Sequence, residues 1–518
     1  MRPTLVLTPP PTPNGPLHLG HLSGPYIAAD VAVRAARRRG EEVLAVGGLD
    51  VHQNYLVTKA QQQGRPVGEV LAHYSDLVRA TFGLARISYE VMVSPATDAG
   101  YRRAVTALLG ELVGSGAARV VRTTLLRCRR CRRTMHHAYV GGMCSLCGEG
   151  ANGGACERCG AFTSSSDLLE PRCNGCGGAP EPFLATVPVL RLEDYRDRLV
   201  AWWSLAEVPA RVWRLLGHYL SSRLPDIPLA YPSDWGIRTG DGLRVDVWVE
   251  YAVGLLYAVA RELDGRITPA STAARCVQAW TGSDGYRHFF GVDNTFYYAV
   301  LTPALLAAAG VQAGTLRGLV VNEFYRLAGL KFSTSRNHAV WAHEFLPQED
   351  PGLVRAYLCW DRPDRYGSDF SLDGFRAFAR RYGAVLSAAG LNGAGLNGAG
   401  LNSAELDGAG LDGGGSATAA RLAAVELERA EHALGFSGFD PALALRCLFS
   451  AARAEPRRVS DMLGAVLGTE VAGVQVAGAQ AAGAQAAGAQ VAGAVSGGAA
   501  SGGVASGGAA SGGRRAST

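Results

Sequence analysis

Residues Thr12–Gly40, TPNGPLHLGHLSGPYIAADVAVRAARRRG, decide how the whole chain is read. Gly15 and Pro16 turn the backbone, an alanine-rich stretch with helical apolar spacing follows, and arginines gather in its last turn before Gly40, a helix stop. The reading is a turn followed by one long helix. Before it lies TLVLT (4–8), a short apolar run that fits a buried strand, and after it EVLAVGG (42–48) fits another. Strand, turn, helix and strand in sequence predict a parallel sheet.

Working outward, helices at roughly 67–83 and 98–115 flank a third strand, ISYEVMV (87–93). A cysteine-rich window then breaks the pattern. Alternation resumes after about 185, with a helical stretch near 190–220 and sheet and helix candidates around 244–260, 277–293 and 317–325. Residues 351–382 read as helices packed beside the sheet. Two repetitive segments follow, AGLNG units over 388–415 and VAGAQ and SGGAA units over 471–518; neither carries large apolar anchors, so neither should fold alone. Between them, 417–468 reads as two or three helices, too short for much of a domain.

The composition excludes some classes of protein. A formal net charge of +5 is mild for 518 residues and does not argue for a polyanion partner. No stretch offers the roughly 18 continuous apolar residues of a membrane helix, and the N-terminus has no apolar run long enough for a secretory signal. The expectation is a soluble, cytoplasmic protein without a membrane partner. Eight of the 11 cysteines form four Cys-x-x-Cys pairs: Cys128/Cys131, Cys144/Cys147, Cys156/Cys159 and Cys173/Cys176. In a cytosolic chain that spacing means metal more often than disulfide, and two full sets of four thiolates suit two structural zinc ions. A nucleic-acid-binding zinc ribbon is the alternative, with RCRRCRR (127–133) in its favour. Isolated Cys276, Cys359 and Cys447 read as buried thiols.

Chemistry concentrates in the opening stretch. His18 and His21 lie three apart at the start of a helix, on one face beside its positive end, where phosphates bind. Their ring nitrogens can donate to a triphosphate, and Gly20 between them lets a base or ribose lie against the backbone. A second feature is LKFSTSR (330–336): among 50 basic residues only Lys59 and Lys331 are lysines. A lysine ammonium is a compact charge able to follow a leaving group, unlike the planar fork of arginine. A third is GGLDVHQ (47–53), where Asp50 can accept from an amino group and His52 lies two residues on, on the same side.

The order strand, Pro-Asn-Gly, His-x-Gly-His, helix resembles the class I aminoacyl-tRNA synthetases, and the stretch looks most like the methionyl branch. KFSTS (331–335) then occupies the place of the family's Lys-Met-Ser-Lys-Ser loop, with Thr334 replacing its second lysine. Over roughly residues 3–382 the resemblance implies a class I synthetase-type Rossmann (HUP-like) α/β fold, split by a zinc-binding insertion and followed by a helical stem and a short helical C-terminal region. The implied division is 1–115 and 185–330 for the two catalytic halves, 116–184 for the zinc-knuckle insertion and 331–382 for the loop and stem. Then come a linker at 383–416, a reduced helical region at 417–468 and a tail at 469–518.

The same resemblance implies roles for individual residues. His18, His21, Lys331, Ser333 and Ser335 would act on the phosphates; Asn14, Gly20, Gly291, Asp293 and Thr334 would hold ATP, with Val292 in place of a family lysine. Asp50, His52, Trp248, Tyr251, Asn294 and Tyr298 would hold the amino acid, Asp50 taking its ammonium. The implied zinc arrangement is nested, middle pairs together and outer pairs together; sequential pairing is the alternative. ATP, Mg2+ and structural Zn2+ are the implied cofactors, and the partners are an amino acid and either a tRNA acceptor arm or a small hydroxyl or hydroxylamine acceptor. A catalytically dead binder of nucleic acid is a third reading, opposed by the retention of His18, His21, Asp50 and Lys331.

The pocket departs from the family pattern. Tyr251 and Leu255 replace a small residue and a tyrosine after Trp248. Asn294 and Tyr298 replace an aliphatic residue and a histidine, Thr302 replaces an aromatic, and TPPPT (8–12) replaces an Ala-Leu-Pro-Tyr strand end. These changes predict a smaller or more polar amino acid than methionine. No tryptophan occurs after Trp360, so the anticodon-reading aromatic of the methionyl enzymes is missing.

Overall fold

The structure, a computed structural model, describes residues 2–334, 337–364, 366–388 and 417–469. Nearly all of the repeat at 388–415 and all of 471–518 lie outside the described residues. Strands β1 (Thr4–Leu7), β2 (Val43–Gly48) and β3 (Val91–Val93) come first. A long pair, β4 (Arg119–Cys128) and β5 (Pro180–Arg191), follows, and β6 (Tyr286–Gly291) and β7 (Leu316–Asn322) come later. The five strands β7-β6-β1-β2-β3 form one parallel sheet in that order. In register, Leu5 lies beside Tyr286 on one side and Leu44 on the other. The chain winds outward from β1 through β2 and β3, then returns to the opposite side of β1. The β1/β6 boundary is therefore the switch point, where doubly wound sheets bind ligands at the carboxyl ends of their strands.

Both faces of the sheet are covered, which explains the uninterrupted apolar run of β1. Leu5 and Leu7 join a core with helix α2 (Val247–Leu263) and Trp202, Trp203 and Tyr286. Val6 points the other way, into a core with helix α1 (Ile27–Arg38), helix α3 (Pro351–Trp360) and three C-terminal helices, α4 (Ala417–Leu434), α5 (Pro441–Ala451) and α6 (Pro456–Leu467). The region expected to be too short for much of a domain thus buries its apolar faces, Leu427, Leu445 and Met462 among them, against α1 and α3. A buried ion pair fixes it there. Arg355 of α3 is fully buried and donates to Asp30 of α1 at 2.6 Å, to the Val466 carbonyl at 2.7 Å and to the Ala85 carbonyl at 2.9 Å.

The stretch expected to form one long helix is broken. Leu19–His21 is a single helical turn, Leu22–Tyr26 takes the wider π spacing, and only Ile27–Arg38 is regular. Pro25 has no N–H for the ladder, and Gly24 leaves the helical region with ψ −108°. Gly24 also lets Asn322 approach: a Cβ there would lie 2.9 Å from the Asn322 amide nitrogen.

β4 and β5 pair antiparallel from Cys128 with Pro180 to Arg119 with Val189. They carry the cysteine-bearing segment on their far end, and its short strands Val140–Met143, Gly150–Asn152 and Leu169–Cys173 make a small sheet. No helix among the described residues is long and apolar enough to cross a membrane.

Candidate active site

At the switch point the His18 turn, the loop after β6 and the Lys331 loop line one cleft of about 760 Å³. Asn14, His18, Gly20, His21, Asp50, Trp248, Gly291, Asp293, Asn294, Tyr298, Lys331, Ser333 and Thr334 all contribute to its wall. Two of the sequence-derived residues do not, His52 and Tyr251, and Ser335 lies outside the described residues, as does Arg336.

His18 and His21 hold each other. The His21 backbone N–H donates to Nδ1 of His18 at 3.2 Å, the His18 N–H donates to Nδ1 of His21 at 3.1 Å, and the rings stack at 3.6 Å. With each Nδ1 occupied as an acceptor, the ring proton of a neutral imidazole must sit on Nε2. Burial and each other's proximity push His18 well below the usual histidine range; burial, then the Lys331 charge, push His21 down to about 4. Both rings are therefore neutral Nε2–H donors at neutral pH. They can hold phosphate oxygens without taking up a proton as charge develops.

The Lys331 loop rests on this turn. Buried Phe332 packs 5.1 Å from the His18 ring and 5.6 Å from Tyr325. Thr334 sits so close to the turn that a Cβ on Gly15 would lie 2.3 Å from its methyl group, so Gly15 is needed for the approach. The Lys331 ammonium lies 3.8 Å from the Phe324 ring centre, 3.8 Å from Asp293 and 2.8 Å from Glu157. Burial raises the Asp293 carboxyl and Lys331 partly offsets the rise. Glu157 was not anticipated: it lies between Cys156 and Cys159, and only the fold brings it across the cleft.

In the same cleft Asp50 accepts from the Thr12 hydroxyl at 3.2 Å. Burial, then the neighbouring Glu250 carboxylate, raise Asp50 to about 7. His52 does not face the cleft wall; its Nδ1 lies 2.8 Å from both carboxylate oxygens of Glu250. Burial alone would lower its pKa, but the Glu250 charge and hydrogen bond together with the Asp50 charge hold it above the usual value. His52 thus pairs with Glu250 and does not line the cleft. The Trp248 indole stacks on Tyr297 at 3.6 Å, a neighbour missed in the sequence although it immediately precedes Tyr298. The Tyr297 hydroxyl accepts from the Ala155 N–H at 2.8 Å, tying the cysteine segment to this wall.

The cysteines gather as two sets, Cys128, Cys131, Cys173 and Cys176, and Cys144, Cys147, Cys156 and Cys159. This is the nested arrangement; sequential pairing is excluded by it. The Cys144–Cys159 and Cys147–Cys156 sulfurs are 3.8 and 3.7 Å apart, Cys131–Cys173 3.7 Å and Cys128–Cys176 3.4 Å. Four sulfurs at about 2.3 Å from a tetrahedral zinc would be roughly 3.8 Å from one another. The donor sets therefore fit zinc in a closed, structural role.

The fold and this cleft define a class I synthetase domain, and comparison with known proteins agrees. The family model "tRNA synthetases class I (M)" matches residues 4–388, and the chain belongs to that family. It is 30% identical over 371 residues to the methionine-tRNA ligase of Methanobrevibacter smithii, covering 71% of this chain and 54% of that one. It is 31% identical over 386 residues to that of Thermococcus kodakarensis, covering 71% and 51%. The chain thus spans about half the length of these curated relatives. In fold it is similar to Mycobacterium tuberculosis methionyl-tRNA synthetase bound by methionyl-adenylate, with TM-score 0.62 and 19% identity over 90% of this chain and 89% of that one.

Proposed function

We propose that the protein activates an amino acid with ATP, forming an aminoacyl adenylate and pyrophosphate, and transfers the aminoacyl group to the 3′ end of a tRNA. One observation carries this reading. Two neutral imidazole donors, Asp293 and Lys331 stand at the switch point, and Asp50 lines the same cleft. In it the substrate ammonium sits on Asp50, so its carboxylate points toward the histidines, in line to attack the α-phosphorus. The Nε2–H groups of His18 and His21 donate to phosphate oxygens as charge shifts toward the leaving group. Lys331 exchanges Glu157 for the departing pyrophosphate. Mg2+ bound to ATP would neutralise phosphate charge.

In this reading 116–184 is an insertion between catalytic halves 1–115 and 185–330. Its zinc ions would hold the two knuckles rigid, and exposed Arg129, Arg130 and Arg132 would meet the acceptor-arm backbone in the cytoplasm. The relatives described above are all named for tRNA charging, and none of these matches favours a small-molecule acceptor. Amino-acid-dependent exchange of labelled pyrophosphate into ATP, followed by acid-precipitable charging of tRNA, tests the proposal. Exchange without any charging of tRNA would refute the second step, and no exchange under any condition would refute the first.

A further inference from the structure

The sequence departs from the methionyl pattern at Pro10, Tyr251 and Leu255, and all three line one narrow cavity of about 40 Å³ whose walls also include Asp50 and Trp248. In the proposed reading Asp50 takes the ammonium and the histidine end of the cleft takes the carboxylate. The remaining substituent of the α-carbon then faces the walls around Trp248 and Tyr251. On its other side Trp248 borders the large cleft that the nucleotide takes in this reading, with its indole stacked at 3.6 Å and within 6° of parallel on Tyr297.

Tyr251 is held in place across the slot. Its hydroxyl is 3.1 Å from Nε2 of fully buried His288, and its ring stands edge-on to Tyr298 at 5.3 Å. Swinging the ring out would leave His288 without this partner in an apolar surround, a costly state for a buried polar group. The slot therefore stays narrow. A cavity of about 150 Å³ accommodates benzene, six heavy atoms, so roughly 25 Å³ serves each heavy atom. On that scale 40 Å³ holds one or two, whereas the methionine side chain has four.

Resting on the activation reading above, we infer that Tyr251 is the specificity-determining residue and that the substrate is an amino acid whose side chain has at most two heavy atoms: glycine, alanine, serine or cysteine. The test uses the full chain in pyrophosphate exchange with glycine, alanine, serine, cysteine and methionine. The best of the four small amino acids is expected to exceed methionine in kcat/KM by at least about 100-fold, since each methylene mismatched to a pocket is worth about 10- to 200-fold. Tyr251→Ala should shift that ratio toward methionine by at least about tenfold. Tyr251→Val, which opens the slot with less loss of packing, takes its place if thermal melting shows that the alanine variant does not fold.

Binding of non-hydrolysable glycyl- and methionyl-sulfamoyl adenosine, followed by tryptophan fluorescence, gives the same comparison without turnover. A wild-type preference for methionine overturns the inference and leaves the activation reading standing. An unchanged ratio in a folded Tyr251 variant also overturns it. Silence with all twenty amino acids, with and without tRNA, overturns the activation reading itself and the inference with it.

Discussion

Replacing Arg355 with alanine should loosen the C-terminal helices from α1 and α3 and cost about 4 kcal/mol. The guanidinium is fully buried and its partner Asp30 is 3% exposed. Removing one member of a buried ion pair usually costs about 3–5 kcal/mol, because the other charge is left without compensation. Arg34 still reaches Asp30 at 2.8 Å, which keeps that part at the low end. The Val466 and Ala85 carbonyls lose a donor each, adding roughly 1 kcal/mol in total once local relaxation is allowed for. Urea unfolding of Arg355→Ala, Asp30→Ala and the double variant measures the effect and its pairwise part. The double variant should fall short of the sum of the singles by about 1.5–3 kcal/mol. A loss below about 1 kcal/mol in Arg355→Ala, or additive singles, would show that the pair does not anchor the helices.

The amino-acid kcat/KM in pyrophosphate exchange should climb with pH up to about 7 and then level, because Asp50, raised to about 7, binds an ammonium only as a carboxylate. Asp50→Asn should lower the rate and flatten that limb; a limb retained in the variant assigns it to another group. Lys331→Ala should lower kcat by about 10²- to 10³-fold, the usual effect of losing a group that stabilises transition-state charge. Glu157→Gln should change the ATP parameters by less than about fivefold, since an exposed ion pair is worth at most roughly 1 kcal/mol; a larger change would make Glu157 more than a resting partner. Elemental analysis should find two zinc ions per chain, falling to one in Cys144→Ser, while a single ion in the wild type would contradict the paired clusters.

Much of the fold was legible because β1, β2 and the helix between them follow simple apolar periods, and the motif residues cluster near the ends of strands. The break at Leu22–Tyr26 was not, although Pro25 gave a signal, because the flanking alanines read as one continuous helix. The nested cysteine sets required the β4/β5 pairing, which brings Cys128 beside Cys176 across 48 residues of chain; spacing alone permits either arrangement. Glu157 as the partner of Lys331 left no local trace at all, since the two are 174 residues apart. The contact of His52 with Glu250 could not be read in the sequence, since the two are 198 residues apart. The C-terminal helices could be recognised as helices, but their docking depends on Arg355 and Asp30, two charged residues that by composition belong on a surface.

The C-terminal helices also set an order of events during synthesis. Val6 and Val466 belong to one core, yet the ribosome makes them about 460 residues apart. At about 5–20 residues per second, the core that α1 shares with Val6 waits roughly 25–90 s for its last cover. Throughout that interval the nascent chain presents Val6, Ala28 and Val31 without α6, an apolar surface suited to chaperone capture.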